Sequence, residues 1–194
     1  LILLGILLAV HWFSFFRAIQ VSSVAVGVFT YSAFPVFVSF LEPLFFKERF
    51  KAMSVIAALV TSGGVALMSF NNGSQSSVSR GALWGVFSGL TFALLSLINR
   101  KLVKCYEPLL MALYQNATAA ILLSPFYIVL APKITGRDLL LLVILGVIFT
   151  AISHSLFISS LQYLRTRVAS IVACLEPVYG VMFALLLLKE IPGL

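Results

Sequence analysis

Charged residues are scarce in this sequence: Asp, Glu, Lys and Arg make up only 10% of its 194 residues, against about a quarter of an average soluble domain. The shortage is greatest for acidic residues, with 6 against 13 basic ones. So little charge excludes soluble enzymes, nucleic-acid-binding modules and disordered tails. Apolar residues take their place, at 61% of the chain, and 17 residues are Phe. The composition therefore predicts a membrane protein that crosses the bilayer several times.

Seven apolar runs can each cross a bilayer, which requires about 20 mostly apolar residues. We expect each run to be a helix, because a helix pairs its own backbone polar groups where no water is present. The predicted fold is an all-α polytopic membrane protein with seven spans in this sequence. The runs fall at residues 1–20, 21–46, 52–70, 82–99, 108–130, 139–161 and 168–188.

Both ends of the sequence lie close to apolar runs. Leu1 is inside the first run, with no start Met or basic stretch before it, so the run does not resemble a signal peptide. Leu194 follows shortly after the last run. We therefore expect the sequence to be a fragment of a longer protein.

Basic residues are distributed unequally between the loops on the two sides of the predicted bundle. Alternating the loops between the sides gives eight basic residues on one side and five on the other. Cytoplasmic loops carry the excess of Lys and Arg in membrane proteins, so we predict that the side with eight is cytoplasmic. The eight are Lys47, Arg49, Lys51, Arg100, Lys101, Lys104, Arg165 and Arg167.

An internal repeat appears when residues 1–52 are aligned with residues 143–194. The first span then corresponds to the sixth, and a step of five helices reverses direction, so the two copies are predicted to be inverted. Inverted repeats are typical of transporters, whose two halves supply inward-open and outward-open states. The rarer residues that match are Gln20 with Gln162, Pro35 with Pro177, and Lys47-Glu48 with Lys189-Glu190.

The matching text is AIQVSSVAVGVFTYSAFPVFVSFLEPLFFKERF (18–50) and SLQYLRTRVASIVACLEPVYGVMFALLLLKE (160–190). With these segments the chain resembles the EamA-like family of the drug/metabolite transporter superfamily, in which each half has a helix with a mid-helix proline and a closing Lys-Glu or Gly-Glu. The resemblance implies ten helices arranged as two inverted repeats of five, of which helices three to nine are present here. It also implies transport of amino acids, other metabolites or drugs.

The resemblance implies two repeats joined by a polar loop. Residues 1–70 would form the C-terminal part of the first repeat, with three spans. Residues 71–80 would form the loop between the repeats. Residues 81–194 would form the second repeat without its last helix, with four spans.

Glu176 is the strongest candidate for a substrate-binding residue. It lies nine residues after Arg167, which places it about 13 Å into its span at 1.5 Å per helical residue. A carboxylate at that depth is costly and is a functional candidate by default. Substrate binding, proton coupling and a structural ion pair all fit this position. Tyr179 lies three residues further on and shares its helix face.

Glu42 lies only four residues from the inner end of its span. Tyr31, Pro35, Ser39 and Glu42 follow a 4-4-3 spacing, which places them on one helix face. This face can line a substrate pathway, with Tyr31 and Glu42 as candidate substrate-binding residues, or contact a neighbouring helix, and the sequence favours neither.

His11 and His154 lie in helices that the repeat makes equivalent, one position out of register. A single intramembrane histidine is more often a packing residue than a ligand, and the second copy strengthens the case for a substrate-binding role without settling it. Tyr114 begins a polar cluster, Tyr114-Gln115-Asn116 with Thr118, inside its span. Consecutive helical residues point in different directions, so at most two of these side chains can face one cavity, and Tyr114 is the candidate substrate-binding residue among them.

Pro35 and Pro177 each remove a helical hydrogen bond near the middle of a span. We interpret them as hinge candidates, with a static kink as the alternative. Gly81, Gly85 and Gly89 form two overlapping GxxxG steps, which let helices approach closely. We expect the glycines to pack within the bundle, with a homodimer contact as the second interpretation.

These features predict a transporter that moves a small metabolite, amino-acid-like or drug-like, across the bacterial inner membrane by alternating access, with export favoured. Its partners would be the substrate and the lipid bilayer, without nucleic acid. We expect no cofactor, metal or catalytic residue. An intramembrane enzyme would need convergent acid, base or metal ligands, and a seven-helix receptor matches only the number of visible spans. A structural scaffold is a further alternative.

Overall fold

The computed structural model describes residues 1–47, 75–130 and 134–173, together with positions 56, 60, 132, 175 and 179. Its regular secondary structure within these ranges is helical throughout. Five of the predicted spans are therefore confirmed as helices long and apolar enough to cross a membrane. They are Ile2–Val21, Val26–Phe46, Ser76–Leu102, Pro108–Leu130 and Gly136–Ser160. The chain is a multi-pass helical membrane protein.

The other predicted spans fall largely outside this part of the chain. The run at 52–70 lies outside the described residues except for positions 56 and 60. The run at 168–188 is described only at its beginning and at positions 175 and 179. The Lys-Glu pair at 189–190 lies outside the described residues, so the inverted orientation of the two repeats stays a prediction.

The first two spans contain three helices. Helix α1 covers Ile2–Val21, α2 covers Val24–Tyr31 and α3 covers Phe34–Phe46. Ser23 caps α2, because its side-chain oxygen accepts a hydrogen bond from the Val26 N–H at 3.2 Å. The second predicted span is thus a broken helix with a turn at Ser32 and Ala33.

Pro35 explains where this helix breaks. It lies in the first turn of α3, where its missing N–H removes no helical bond that α3 needs. A continuous helix would instead require Pro35 to donate to the carbonyl of Tyr31, which proline cannot do. The break therefore coincides with the predicted hinge residue, although its movement stays a prediction.

The remaining helices begin with α4, Gln75–Leu102, and α5, Pro108–Leu130. The helix α4 starts earlier than the sequence suggests, so Gln75–Arg80 of the expected loop is helical. The sixth span combines α6, Gly136–Ile144, a π-helical segment, Leu145–Ile152, and α7, Ser153–Ser160. Helix α8, Thr166–Ala173, follows.

Helix α4 packs along α1, α2 and α3 through its glycines. A methyl group added at Gly81, Gly85 or Gly89 would collide with Ser22, Thr30 or the Tyr31 backbone, respectively. The prediction that the GxxxG steps pack within the bundle is confirmed. This close approach holds the polar residues of α1 and α4 against one another.

A second contact region lies where α1, α4, α5, α7 and α8 meet. Its buried side chains include Leu8, Leu95, Met111, Ile158 and Ala169. Leu8 lies in the first half of α1, and Ile158 lies near the end of α7. This packing stabilises the bundle next to the buried polar side chains that are described in the following subsection.

Candidate functional site

His11 is buried between α1 and α4 and bonds to Ser88. Its Nδ1 lies 3.1 Å from the Ser88 carbonyl oxygen and 2.8 Å from Ser88 Oγ. A carbonyl only accepts hydrogen bonds, so this geometry assigns a proton to Nδ1. The Ser88 hydroxyl in turn donates to the His11 carbonyl at 3.2 Å. In a neutral ring, Nε2 is then the nitrogen with acceptor capacity.

The ring of His11 belongs to an aromatic cluster, defined here as His11, Phe15, Tyr31, Phe34, Phe92 and Phe157. Phe92 lies at its centre, because its ring centroid is 4.9 Å from that of His11 and 5.1 Å from that of Phe34. Phe157 of α7 contacts Phe92 at 5.4 Å. Spacings in this range are those of packed aromatic rings. The cluster therefore connects the first span to the sixth.

His154 of α7 is the second buried histidine. It forms a hydrogen bond with the side-chain amide of Gln115, which is itself bonded to the side-chain amide of Asn99. Its Nε2 lies 3.0 Å from Gln115 Oε1. The Gln115 amide donates to Asn99 Oδ1 at 2.8 Å, and Asn99 and Gln115 have no exposed surface. In this arrangement His154 donates from Nε2, which leaves Nδ1 as the acceptor of a neutral ring.

His11 lies within the aromatic cluster, and the helix that carries His154 reaches the same cluster through Phe157. His11 contacts Phe92 directly. Phe157 contacts the same ring and lies three residues after His154, on neighbouring turns of α7. The structure therefore brings together His11, Tyr31 and the helix that carries His154.

Glu42 forms an ion-pair cluster with Arg100 and Arg167 at one end of the bundle. Its Oε1 lies 2.8 Å from Arg100 Nη1, and its Oε2 lies 3.1 Å from Arg167 Nη2. The Arg167 backbone N–H also donates to Oε1, at 3.3 Å. Glu42 is fully buried, whereas the side chains of Arg100 and Arg167 are 15% and 8% exposed. The Arg100 guanidinium lies 4.2 Å above the Phe46 ring centre.

The other candidates from the sequence lie elsewhere or outside the described residues. Tyr114 and Tyr179 are 48% and 51% exposed. Within the described part of the chain, no hydrogen bond or ring contact is recorded between their side chains and His11, His154 or Glu42. Glu176 and Pro177 lie outside the described residues, so their roles stay predictions.

Sequence reasoning missed the partners of these residues. Arg100 and Arg167 were counted as loop charges, yet both contact Glu42. One available signal was that a carboxylate inside an apolar span requires a cation, and both arginines flank spans that end on the same predicted side. For Ser88 and Phe92 no comparable signal exists, because Ser and Phe are ordinary residues in membrane helices.

Comparison with known proteins identifies the family. The helices define a polytopic membrane protein whose buried polar side chains lie between spans rather than in loops. Residues 79–194 match the model of the EamA-like transporter family. The chain belongs to the EamA-like transporter family.

Three curated relatives agree with this assignment. An uncharacterized transporter, YxxF, of Bacillus subtilis is 28% identical over 92% of this chain and 58% of its own length. An uncharacterized inner membrane transporter, YicL, of Salmonella typhimurium is 30% identical over 69% of this chain and 46% of its own. An uncharacterized transporter of Archaeoglobus fulgidus is 26% identical over 84% and 58%.

The chain spans about half the length of these curated relatives. No solved structure matches it significantly.

Proposed function

We propose that this chain is part of a carrier that moves a small amino-acid-like or drug-like metabolite across the bacterial inner membrane. Transport would proceed by alternating access between two inverted repeats, in the direction of export. Membership of the EamA-like family supports a carrier, and the Salmonella relative is named an inner membrane transporter.

The observation that carries this proposal is that His11 lies in the aromatic cluster and that a second buried histidine, His154, lies on the helix whose Phe157 contacts this cluster. His11 and His154 come from helices that the repeat makes equivalent, and both are 9% exposed or less. Polar groups inside a membrane are costly and mark substrate pathways. Two buried imidazoles, of which that of His11 packs against aromatic rings, offer hydrogen bonds together with an apolar stacking surface. This combination suits a small, moderately apolar molecule that carries polar groups.

Two irregular helices supply the movement in this proposal. The break between α2 and α3 lies beside Tyr31, and the π-helical segment Leu145–Ile152 ends one residue before Ser153 and two before His154. Broken helices border the binding sites of many carriers, and π-helical segments frequently occur at functional sites. Each break is thus adjacent to a residue of the proposed substrate site.

Alternating access requires the two repeats to separate at one end while they close at the other. The aromatic cluster joins α1 and α3 of the first repeat to α4 and α7 of the second. Substrate bound at His11 and His154 would replace ring contacts between the repeats. Its binding would therefore be linked to the relative position of the two repeats.

The proposal is tested with the full-length protein in proteoliposomes. A thermal-shift screen of amino acids and aromatic amines selects a binder, whose flux is then measured. His154→Ala and His11→Ala should each lower flux by about tenfold or more, because each removes a binding interaction inside the membrane. Ser153→Ala, at an exposed position beside His154, is the control and should transport like the unchanged protein. Unchanged flux in both histidine variants would refute the proposed site.

A further inference from the structure

Glu42, Arg100 and Arg167 connect helices that the repeat assigns to different halves. Glu42 lies on α3 of the first repeat, whereas Arg100 ends α4 and Arg167 begins α8 of the second. The contacts cross 58 residues of sequence to Arg100 and 125 to Arg167. One carboxylate therefore joins the first repeat to two helices of the second.

Because Glu42 is buried, breaking only one of its two ion pairs is unfavourable. Glu42 has no exposed surface and uses both carboxylate oxygens on the two guanidinium groups. Removing one partner of a buried ion pair leaves an uncompensated charge, which is strongly unfavourable. Separation of the repeats at this end therefore has to break both ion pairs of Glu42. Such a contact favours two discrete positions over a continuous range.

The location of the cluster indicates which end of the pathway it closes. Arg100 and Arg167 belong to the basic loops that the sequence places in the cytoplasm, and Lys47 ends α3 at the same end of the bundle. Ser39 lies three residues before Glu42 on the same face of α3, deeper in the span, and is only 5% exposed. Phe46 lies beneath the Arg100 guanidinium. Glu42 and its two arginine partners thus lie at the end of the bundle that is predicted to face the cytoplasm.

We propose that Glu42, Arg100 and Arg167 form the cytoplasmic gate of the carrier, with both ion pairs formed when that end is closed and broken when it opens. This inference rests on the proposed alternating-access function. Glu42 is then a gating residue that holds the inward-closed state. It does not contact substrate.

Cysteine accessibility tests the gate. Ser39→Cys is introduced into the full-length protein without other cysteines, and a membrane-impermeant maleimide is applied to inside-out and right-side-out vesicles. Glu42→Gln should raise labelling of position 39 from the cytoplasmic face several-fold, because it weakens both ion pairs and increases the inward-open population. Labelling from the outer face should fall. Glu107→Gln is the control, because it removes an exposed carboxylate from the loop after α4. It should leave the labelling of position 39 unchanged from both faces.

Two variants of Arg100 test the gate independently, in case Glu42→Gln does not fold. Arg100→Gln removes one partner that is partly exposed, and Arg100→Lys keeps its charge. Arg100→Gln should raise cytoplasmic labelling, and Arg100→Lys should raise it less. The gate is refuted if folded Glu42→Gln and Arg100→Gln label like the unchanged protein. An equal rise from both faces would also refute it, since that result indicates a loosened bundle.

Labelling and transport separate this inference from the proposed function. Accessibility of position 39 reports which end of the pathway is open and needs no substrate. Flux reports transport. A protein that labels as expected, but whose two histidine variants transport like the unchanged protein, would contradict the proposed substrate site and leave the gate in place.

Discussion

The side chain of Gln115 makes hydrogen bonds with two helices besides its own. Its Oε1 accepts from His154 Nε2 at 3.0 Å and its amide donates to Asn99 Oδ1 at 2.8 Å. Gln115 has no exposed surface, so no water can replace these partners. It therefore positions His154 on α7 relative to α4, and a binding role for the histidine depends on it.

Gln115→Leu should destabilise the protein, because a leucine of similar size leaves His154 and Asn99 without their shared partner. Each buried polar group left unpaired costs about 1–3 kcal/mol, so we expect a lower midpoint of thermal unfolding in detergent. Ser124→Ala removes an exposed hydroxyl from the same helix and should leave the midpoint unchanged. If Gln115→Leu unfolds like the unchanged protein, the hydrogen-bond network is not formed.

Helix α4 packs closely against its neighbouring helices because it has glycine at the contact positions. The carbonyl of Tyr31, which Pro35 cannot bond, lies against Gly89: a methyl group on Gly89 would be 2.9 Å from that oxygen and 3.4 Å from the Phe34 nitrogen. The break between α2 and α3 therefore lies in close contact with Gly89 of α4. Both were visible in the sequence as separate motifs, but their contact was not.

Gly89→Ala should separate α4 from the break between α2 and α3, since backbone atoms of Tyr31 and Phe34 cannot move aside as a side chain can. Overpacking of this kind costs about 1–3 kcal/mol. Gly146→Ala is the matched control, because nothing lies within 4 Å of the added methyl group. Thermal unfolding should show a clear loss for Gly89→Ala and none for Gly146→Ala. Equal midpoints would contradict the close approach of these helices.

The contacts of the described helices place two of the basic loops at the same end of the bundle, as the alternation of the loops predicts. Glu42 brings Arg100 and Arg167 together, so two of the basic loops assigned to the cytoplasm lie at one end. Helix α4 runs from Gln75 toward that end. Its first turn, with Ser76, therefore lies at the opposite end, which we expect to face outward.

Labelling in intact cells tests this orientation. Cys105 is exposed and lies in the loop that follows Arg100, so an impermeant maleimide should reach it only after permeabilisation. Ser76→Cys in a Cys105→Ser background should react without permeabilisation, because position 76 is exposed at the other end. Labelling with the reverse pattern would invert the topology and place the proposed gate at the outer face.

Much of the fold was predictable from local sequence. The five described spans were expected because a run of about 20 apolar residues is stable in lipid only as a helix. The early start of α4 was not expected, since the polar letters of Gln75–Arg80 resemble a loop while forming helix. For the site, His11, Tyr31, His154 and Glu42 were identified as intramembrane polar residues, but their partners were not.

The sequence by itself determined that this protein spans a membrane many times, where five of its helices lie, and that Pro35 interrupts one of them. These properties depend on hydropathy and backbone bonding within a single segment. Only the tertiary structure decided that Glu42 pairs with Arg100 and Arg167, and that His11 bonds to Ser88, 77 residues away. A side chain finds its partner through the rotation and crossing of packed helices. That geometry is set by all the contacts between the helices together, so no single segment encodes it.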